Sequence, residues 1–167
     1  MERTRTRVVT ALAAVLAAAP LLTACAAGRD AVTAKPYSPG DGVLATAGDV
    51  RVLNALVVAA DGATTGLVSA GVANTGTSGD RLTGITSPQG AIALSGDTDI
   101  PAGGAISLGN GSSGGPTATV TGLTVKPGDE MVLRLTFSQA EPLTIRTLVH
   151  PTDGYYDTLT PSALPTP

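Results

Sequence analysis

The sequence predicts an all-β domain folded as an antiparallel β-sandwich, with a β-barrel as the alternative. Apolar and polar residues alternate with a period of two in several segments, as at Met131, Leu133 and Leu135, and no helical period follows residue 24. Clusters of Gly, Pro, Asn and Asp separate these segments at regular intervals, as in a sandwich. The expected strands cover residues 50–59, 66–74, 81–86, 91–95, 105–108, 117–121, 131–138 and 143–150.

Residues 1–24 are predicted to be a lipoprotein signal peptide. Three Arg residues precede an apolar stretch over residues 8–19, which is too short to span a membrane, and Pro20 ends it. The following run, Leu22-Thr23-Ala24-Cys25, is a bacterial lipobox, in which the chain is cut before Cys25 and its thiol receives a lipid. Each buried CH₂ contributes ~0.8 kcal/mol, so two acyl chains such as palmitate anchor stably. We expect the protein on the extracytoplasmic face of the cell membrane.

The rest of the chain is predicted to hold a single domain between two irregular ends. Residues 25–47 contain Gly, Ala, Thr and Pro without periodicity and are expected to form a lipidated, flexible tether. Residues 48–150 are expected to form the sandwich. Residues 151–167 form a Pro-rich C-terminal tail, in which Tyr155 and Tyr156 are expected to dock on the sandwich.

Composition excludes some functions. The chain has a formal net charge of −3, and loss of one acidic and three basic residues with the signal peptide makes it −5. An acidic chain without a basic run does not favour nucleic acid as a partner. Aromatic residues are only 2% of the chain, which leaves little surface for stacking on sugars or bases. The alanine-rich, lysine-poor composition is typical of an actinobacterium.

Catalytic patterns are missing from the sequence. His150 is the only histidine, so Ser residues have no base partner, and no Gly-x-Ser-x-Gly nucleophile elbow is predicted. The glycine-rich residues 109–115 lack the Lys-Ser/Thr pair of phosphate-binding loops. We therefore predict a protein that is not an enzyme.

Candidate metal ligands are few. His150 and Met131 are the only His and Met after processing, and we expect Met131 in the core and His150 on the surface at a strand end. Asp97 and Asp99 are candidates for a hard cation, although a turn with two Asp residues is usually solvated. The pair Asp129-Glu130 is likewise interpreted as a solvated turn, one that leads into a strand.

Several short runs follow one another in a recognisable order and spacing: Asn74-Thr75-Gly76, residues 80–88, Ile100-Pro101-Ala102-Gly103-Gly104, Gly122-Leu123, Lys126-Pro127-Gly128-Asp129 and residues 133–137. Together, over residues 50–149, they resemble the periplasmic copper chaperones of the PCu(A)C type. The resemblance implies a cupredoxin- or immunoglobulin-like β-sandwich; family members carry Cu(I) and help to load the copper site of respiratory oxidases. The actinobacterial lipoproteins of the LpqE type look closer still.

The same resemblance locates the family's copper ligands, a His, a Met beyond it and a His-x-Met pair, which suit Cu(I). These positions fall on Ser95, on a shortened segment over residues 96–99, and on Thr117 and Thr119. None of the four ligand types is present, so these are degenerate ligand positions.

We therefore expect a membrane-anchored binding or interaction module of the cell envelope with no cofactor, whose partner is an envelope protein or another envelope component. One alternative is a copper metallochaperone in respiratory oxidase assembly that uses relocated ligands, at His150, at Met131 or between two molecules. Another alternative is a purely structural surface protein.

Overall fold

The computed structural model describes residues 40–109 and 114–159, in which the regular secondary structure is β-strand apart from a short 3-10 helix at Gly154–Tyr156. Each segment predicted from alternation forms a strand, and two short strands, β1 and β6, are additional. The strands are β1 (Val43–Ala47), β2 (Val50–Val58), β3 (Thr65–Asn74), β4 (Asp80–Thr86), β5 (Ala91–Ser95), β6 (Asp99–Ile100), β7 (Ala105–Leu108), β8 (Thr117–Thr121), β9 (Glu130–Phe137) and β10 (Leu143–His150).

The ten strands belong to one hydrogen-bonded sheet with the order β5-β8-β3-β2-β10-β9-β4-β6, while β1 pairs with β2 and β7 pairs with β3. All pairs are antiparallel except β2 and β10, which run parallel through Val57 and Val58. The long strand β2 meets β1 along its first half and β10 at its end. The one parallel pair was not expected, because it joins segments about 90 residues apart.

The sheet curls so that one face encloses a single hydrophobic core. Val68 and Val120, from one half of the strand order, belong to the same buried cluster as Leu82 and Leu133 from the other half. Alternation along β9 is as predicted, since Met131, Leu133, Leu135 and Phe137 are buried while the residues between them are not. The predicted all-β sandwich is confirmed.

A bulge in β2 changes which residues face this core. Asn54 has a φ of 50° and lies where the register shifts between Leu53 and Leu56. Val50 and Val52 belong to the core before the bulge, whereas the odd-numbered residues from Ala55 onward belong to it afterwards. Since a bulge adds one residue to a strand with period two, it exchanges the two faces.

The predicted tether is too long at its C-terminal end, because β1 lies within residues 25–47. The five-residue strand pairs with β2, and the Asn54 side chain supports its start by accepting a hydrogen bond from the Gly42 N–H at 2.9 Å. A Cβ on Gly42 would overlap the Asn54 backbone, so only glycine fits this approach. The strand escaped prediction because it is short and lacks alternation.

Residues 151–159, called here the C-terminal strap, pack on the outer face of the sheet. Tyr156 is buried with Leu56 and Val58 in a second, smaller cluster. Its hydroxyl donates a hydrogen bond to Asp41 Oδ2 at 2.6 Å, which joins the two ends of the domain. Of the two tyrosines expected to dock, only Tyr156 does; Tyr155 is 89% exposed.

Several predicted features lie outside the described residues. They are the signal peptide, Cys25, most of the tether and the end of the tail after Leu159. Within the described ranges, no helix has the length and apolar character needed to cross a bilayer.

Candidate functional site

The positions predicted from the resemblance to correspond to copper ligands lie together on two neighbouring strands. Ser95, at the end of β5, is paired directly with Thr117 at the start of β8, and Thr119 is paired with Ala93. Paired residues point to the same face, about 5 Å apart at Cβ. Since the intervening Ala118 is completely buried in the core, the three hydroxyl side chains lie on the outer face of the sheet.

Local sequence explains this arrangement. The β-branched threonines of β8 suit a strand and alternate with core residues. Gly96 ends β5 with a φ of 89°, and a Cβ there would lie 3.1 Å from the Pro116 Cα, so glycine permits the close approach of β5 and β8. The shortened segment that follows is a compact turn, in which Asp97 Oδ1 accepts a hydrogen bond from the Asp99 N–H at 3.0 Å.

The chemistry of this surface differs from that of a soft-metal site. Hydroxyl oxygens are neutral, hard donors, whereas Cu(I) prefers thioether, thiolate and imidazole. Ser95 is exposed and the two threonines are half-buried, so all three hydroxyls can exchange hydrogen bonds with water or a ligand. Across residues 40–109 and 114–159, no three His, Cys, Asp or Glu side chains gather closely enough to hold a metal ion.

His150 lies under the C-terminal strap rather than open on the surface. Its ring centroid is 5.2 Å from that of Tyr156, and its Nε2 is buried with no hydrogen-bond partner. The predicted position at a strand end is observed, but the ring is not open to solvent as expected. The strap returns over the end of β10 and covers it. A metal ion reaches Nε2 only if the strap moves.

Met131 lies on the opposite face of the sheet from His150. It is completely buried in the main core and is paired with Thr147 of β10, whose side chain points the same way. His150 is three residues further along the strand and therefore points outward, as does its partner Val58. The two residues cannot bind one metal ion within a single molecule.

The acidic turns have structural partners. The Asp99 carboxylate forms a salt bridge with Arg81 at 2.6 Å, between side chains that are about half exposed. The Asp129 carboxylate accepts a hydrogen bond from the Lys126 N–H at 3.1 Å, and Glu130 lies 3.7 Å from Arg146. The turn interpretation therefore describes these residues better than a cation site.

Sequence reasoning missed a polar cleft of 290 Å³ beside Asp80, lined also by Asp49, Asn74 and Gln139. The Asp80 carboxylate accepts hydrogen bonds from the backbone N–H groups of Arg81, Gln139 and Ala140, at 2.7 to 3.0 Å. Desolvation acts to raise the pKa of Asp80, but these hydrogen bonds outweigh it and the pKa is lowered. Asp80 thus holds the turn between β9 and β10; nothing local in the sequence reveals these contacts.

Comparison with known proteins identifies the fold. No protein-family model and no curated protein matches the chain. Among solved structures, it is similar to a copper-bound PCuAC domain from PmoF2, with a TM-score of 0.57, 19% identity and coverage of 65% of this chain and 98% of that domain. It is also similar to an apo PCuAC domain from PmoF1, with a TM-score of 0.58, 18% identity and coverage of 65% and 99%.

The chain therefore has a PCuAC-type, cupredoxin-like fold, as the sequence resemblance implied. The match spans nearly the whole length of each PCuAC domain. At this level of identity the likeness establishes the fold. The outer face of β5 and β8 carries Ser95, Thr117 and Thr119, the positions predicted to be degenerate ligand positions.

Proposed function

We propose that the protein is a lipid-anchored, extracytoplasmic binding module with a PCuAC-type fold that has lost the copper ligands and has no catalytic activity. The observation that carries this proposal is the group of Ser95, Thr117 and Thr119, which are paired on the outer face of β5 and β8. A fold associated with copper here presents hydroxyls where soft donors are needed. The surface is suited to hydrogen bonding with an envelope partner.

The N-terminal signal and Cys25 support the location on the membrane, and the resemblance to LpqE-type lipoproteins supports an actinobacterial source. A site built from hydroxyls alone, without a base, does not activate a nucleophile, which supports a non-enzymatic role.

The second candidate is a copper metallochaperone with relocated ligands. One specific observation favours it: the buried Nε2 of His150 has no hydrogen-bond partner. Copper could then bind His150 after the strap opens, with a further donor from a second molecule. Met131 does not supply that donor, because its side chain is enclosed in the core of its own molecule.

Titration of Cu(I) into the protein tests the proposal, with competition against a chromogenic chelator. We expect no stoichiometric binding by the natural sequence. The double variant Thr117→His/Thr119→Met restores a His-x-Met pair on the outer face, and we expect it to gain Cu(I) binding. The matched control, Thr144→His/Arg146→Met, places the same pair at exposed positions of β10.

Tight binding of one Cu(I) by the natural sequence would overturn the proposal. If that binding were then lost in His150→Ala, the relocated-ligand alternative would replace it.

A further inference from the structure

The outer face of β2 carries apolar side chains beyond the bulge, and the C-terminal strap covers them. Leu56 and Val58 lie outside the main core and form the second cluster with Tyr156, against which Leu159 packs. Leu56 is 1% exposed and Val58 is completely buried. Displacement of the strap would therefore open an apolar groove on this face, lined by Leu56, Val58 and the ring of His150.

The groove continues toward the hydroxyl-bearing face of β5 and β8. Thr119 is paired with Leu67 of β3, which is paired with Val58. Val58 is in turn paired with His150. Directly paired side chains point to the same face of a sheet, so these four form one row across four strands. With neighbouring strands about 4.8 Å apart, the row spans ~14 Å. A peptide in the groove would thus lie beside the surface to which we assign partner binding.

A single side chain anchors the strap to the domain. Of residues 151–159 only Tyr156 is buried, and its hydroxyl donates a hydrogen bond to Asp41. The Tyr156 and Leu159 N–H groups donate to the Asp153 and Tyr156 carbonyls, within the strap itself. Segments with few buried contacts open at a lower free energy than the core does. The strap is therefore arranged like a docked peptide with one aromatic anchor.

The strap is an imperfect occupant of the groove. The ring centroids of Tyr156 and His150 are 5.2 Å apart, and the His150 Nε2 is buried with no hydrogen-bond partner. A buried polar atom that is left unsatisfied costs free energy. The strap is consequently held less tightly than its apolar contacts alone would allow, which suits a cover that another segment displaces.

We propose that this groove is a docking site for a peptide segment of another protein that carries an aromatic anchor, and that the strap is a built-in competitor that keeps the site closed. The strap itself defines the anchor, since Tyr156 occupies its place. Because the strap is tethered beside the groove, its effective concentration is on the order of millimolar, and it competes with weak ligands.

A second copy of this chain is a poorer occupant, because its own strap is already seated in its own groove. The inference goes beyond the proposed function, since it depends on the strap and not on the loss of copper ligands.

Fluorescence anisotropy with a labelled peptide tests the competition. The peptide has the sequence of residues 151–159 with fluorescein at its N-terminus, and the protein is the full chain. We expect Tyr156→Ala, which releases the strap, to bind this peptide at least tenfold more tightly than the natural chain does. The matched control Tyr155→Ala removes a ring that is 89% exposed, and it should bind the peptide as weakly as the natural chain.

A second peptide shows whether the anchor is responsible. A peptide with Ala in place of Tyr156 should not bind the released chain, because it brings no aromatic ring to the groove. Circular dichroism verifies that each protein variant is folded.

Hydrogen exchange measures the opening of the strap in the natural chain. We expect the Tyr156 and Leu159 N–H groups to exchange at least tenfold faster than those of β9, because the strap opens without unfolding of the core. His150→Phe replaces the unsatisfied Nε2 by an apolar ring and should slow this exchange at least threefold.

The proposal is overturned if Tyr156→Ala binds the peptide no better than Tyr155→Ala, if the peptide without the anchor binds equally well, or if the strap exchanges no faster than β9. Unchanged or faster exchange in His150→Phe also contradicts it. A dimer formed by exchange of straps, detected by sedimentation equilibrium of the natural chain, would assign the groove to a second copy instead. None of these results alters the outcome of the Cu(I) titration, so the two proposals fail separately.

Discussion

Single carboxylates hold the turns of this protein, and Asp80 is the clearest case, with three backbone N–H donors. Because folding lowers the pKa of Asp80 from its ordinary value of 3.8, the carboxylate adds stability above that pH, and this contribution is lost as the pH falls through the folded pKa. We expect Asp80→Ala to lower the free energy of unfolding by about 1 kcal/mol at pH 7.

The same variant should also show a smaller loss of stability between pH 5 and pH 2 in urea denaturation. The control Asp97→Ala removes a carboxylate that accepts a backbone hydrogen bond from the Asp99 N–H, and it should cost less. An equal loss in both variants would contradict the role assigned to Asp80.

Tyr156 is the residue that fixes the C-terminal strap. Burial, together with the hydrogen bond to the Asp41 carboxylate and its charge, raises the pKa of Tyr156 to about 12. Because the pKa of Tyr156 is raised, its neutral hydroxyl contributes fully to the stability of the fold below pH 10. This contribution is lost as the pH rises toward 12.

We expect Tyr156→Phe to cost about 1 kcal/mol of unfolding free energy at pH 7 and to remove the tyrosine that ionises last in an absorbance titration. Tyr155→Phe is the matched control, since this side chain is 89% exposed. If both variants kept a tyrosine with an ionisation near pH 12, the raised pKa would belong to another residue.

Strand β2 shows how one residue changes an element. The bulge at Asn54 exchanges the faces of the strand, so that Leu56 and Val58 point outward and are covered by the strap. A β-branched residue is strongly disfavoured at a φ of 50°.

We expect Asn54→Val to destabilise the protein by about 1–3 kcal/mol in thermal or urea denaturation. Asn54→Gly adopts the same backbone conformation and loses only the hydrogen bond to Gly42, so its cost should be smaller. A stable Asn54→Val variant would mean that the bulge does not depend on this conformation.

At the scale of the whole molecule, the proposal depends on the lipid anchor at Cys25. We expect the natural chain in the membrane fraction of cells and the Cys25→Ser variant released from it, because the acyl chains are the only anchor proposed. Fractionation with detergent extraction measures this, and metabolic labelling with a palmitate analogue shows whether lipid is attached. Membrane retention of an unlabelled Cys25→Ser variant would require another anchor.

Much of the fold could be predicted from local pattern. In β8, Thr117, Thr119 and Thr121 alternate with buried Ala118 and Val120 as expected, and β9 behaves in the same way. The failures are equally specific: β1 was placed in the tether, and His150 was placed on the open surface. Both depend on contacts that alternation within a strand does not reveal: the Asn54 side chain supports the start of β1, and Tyr156 packs against the His150 ring.

The sequence by itself determined the strands, the turns and the inward side of most strands, because side-chain direction in a strand follows a period of two that can be counted locally. The assignment of Ser95, Thr117 and Thr119 as degenerate ligand positions comes from the family resemblance and stays a prediction. Only the tertiary structure decided that these positions meet on one face and that β10 lies parallel to β2. Those features depend on which distant segments pair, and a local pattern of apolar residues does not encode the choice of partner.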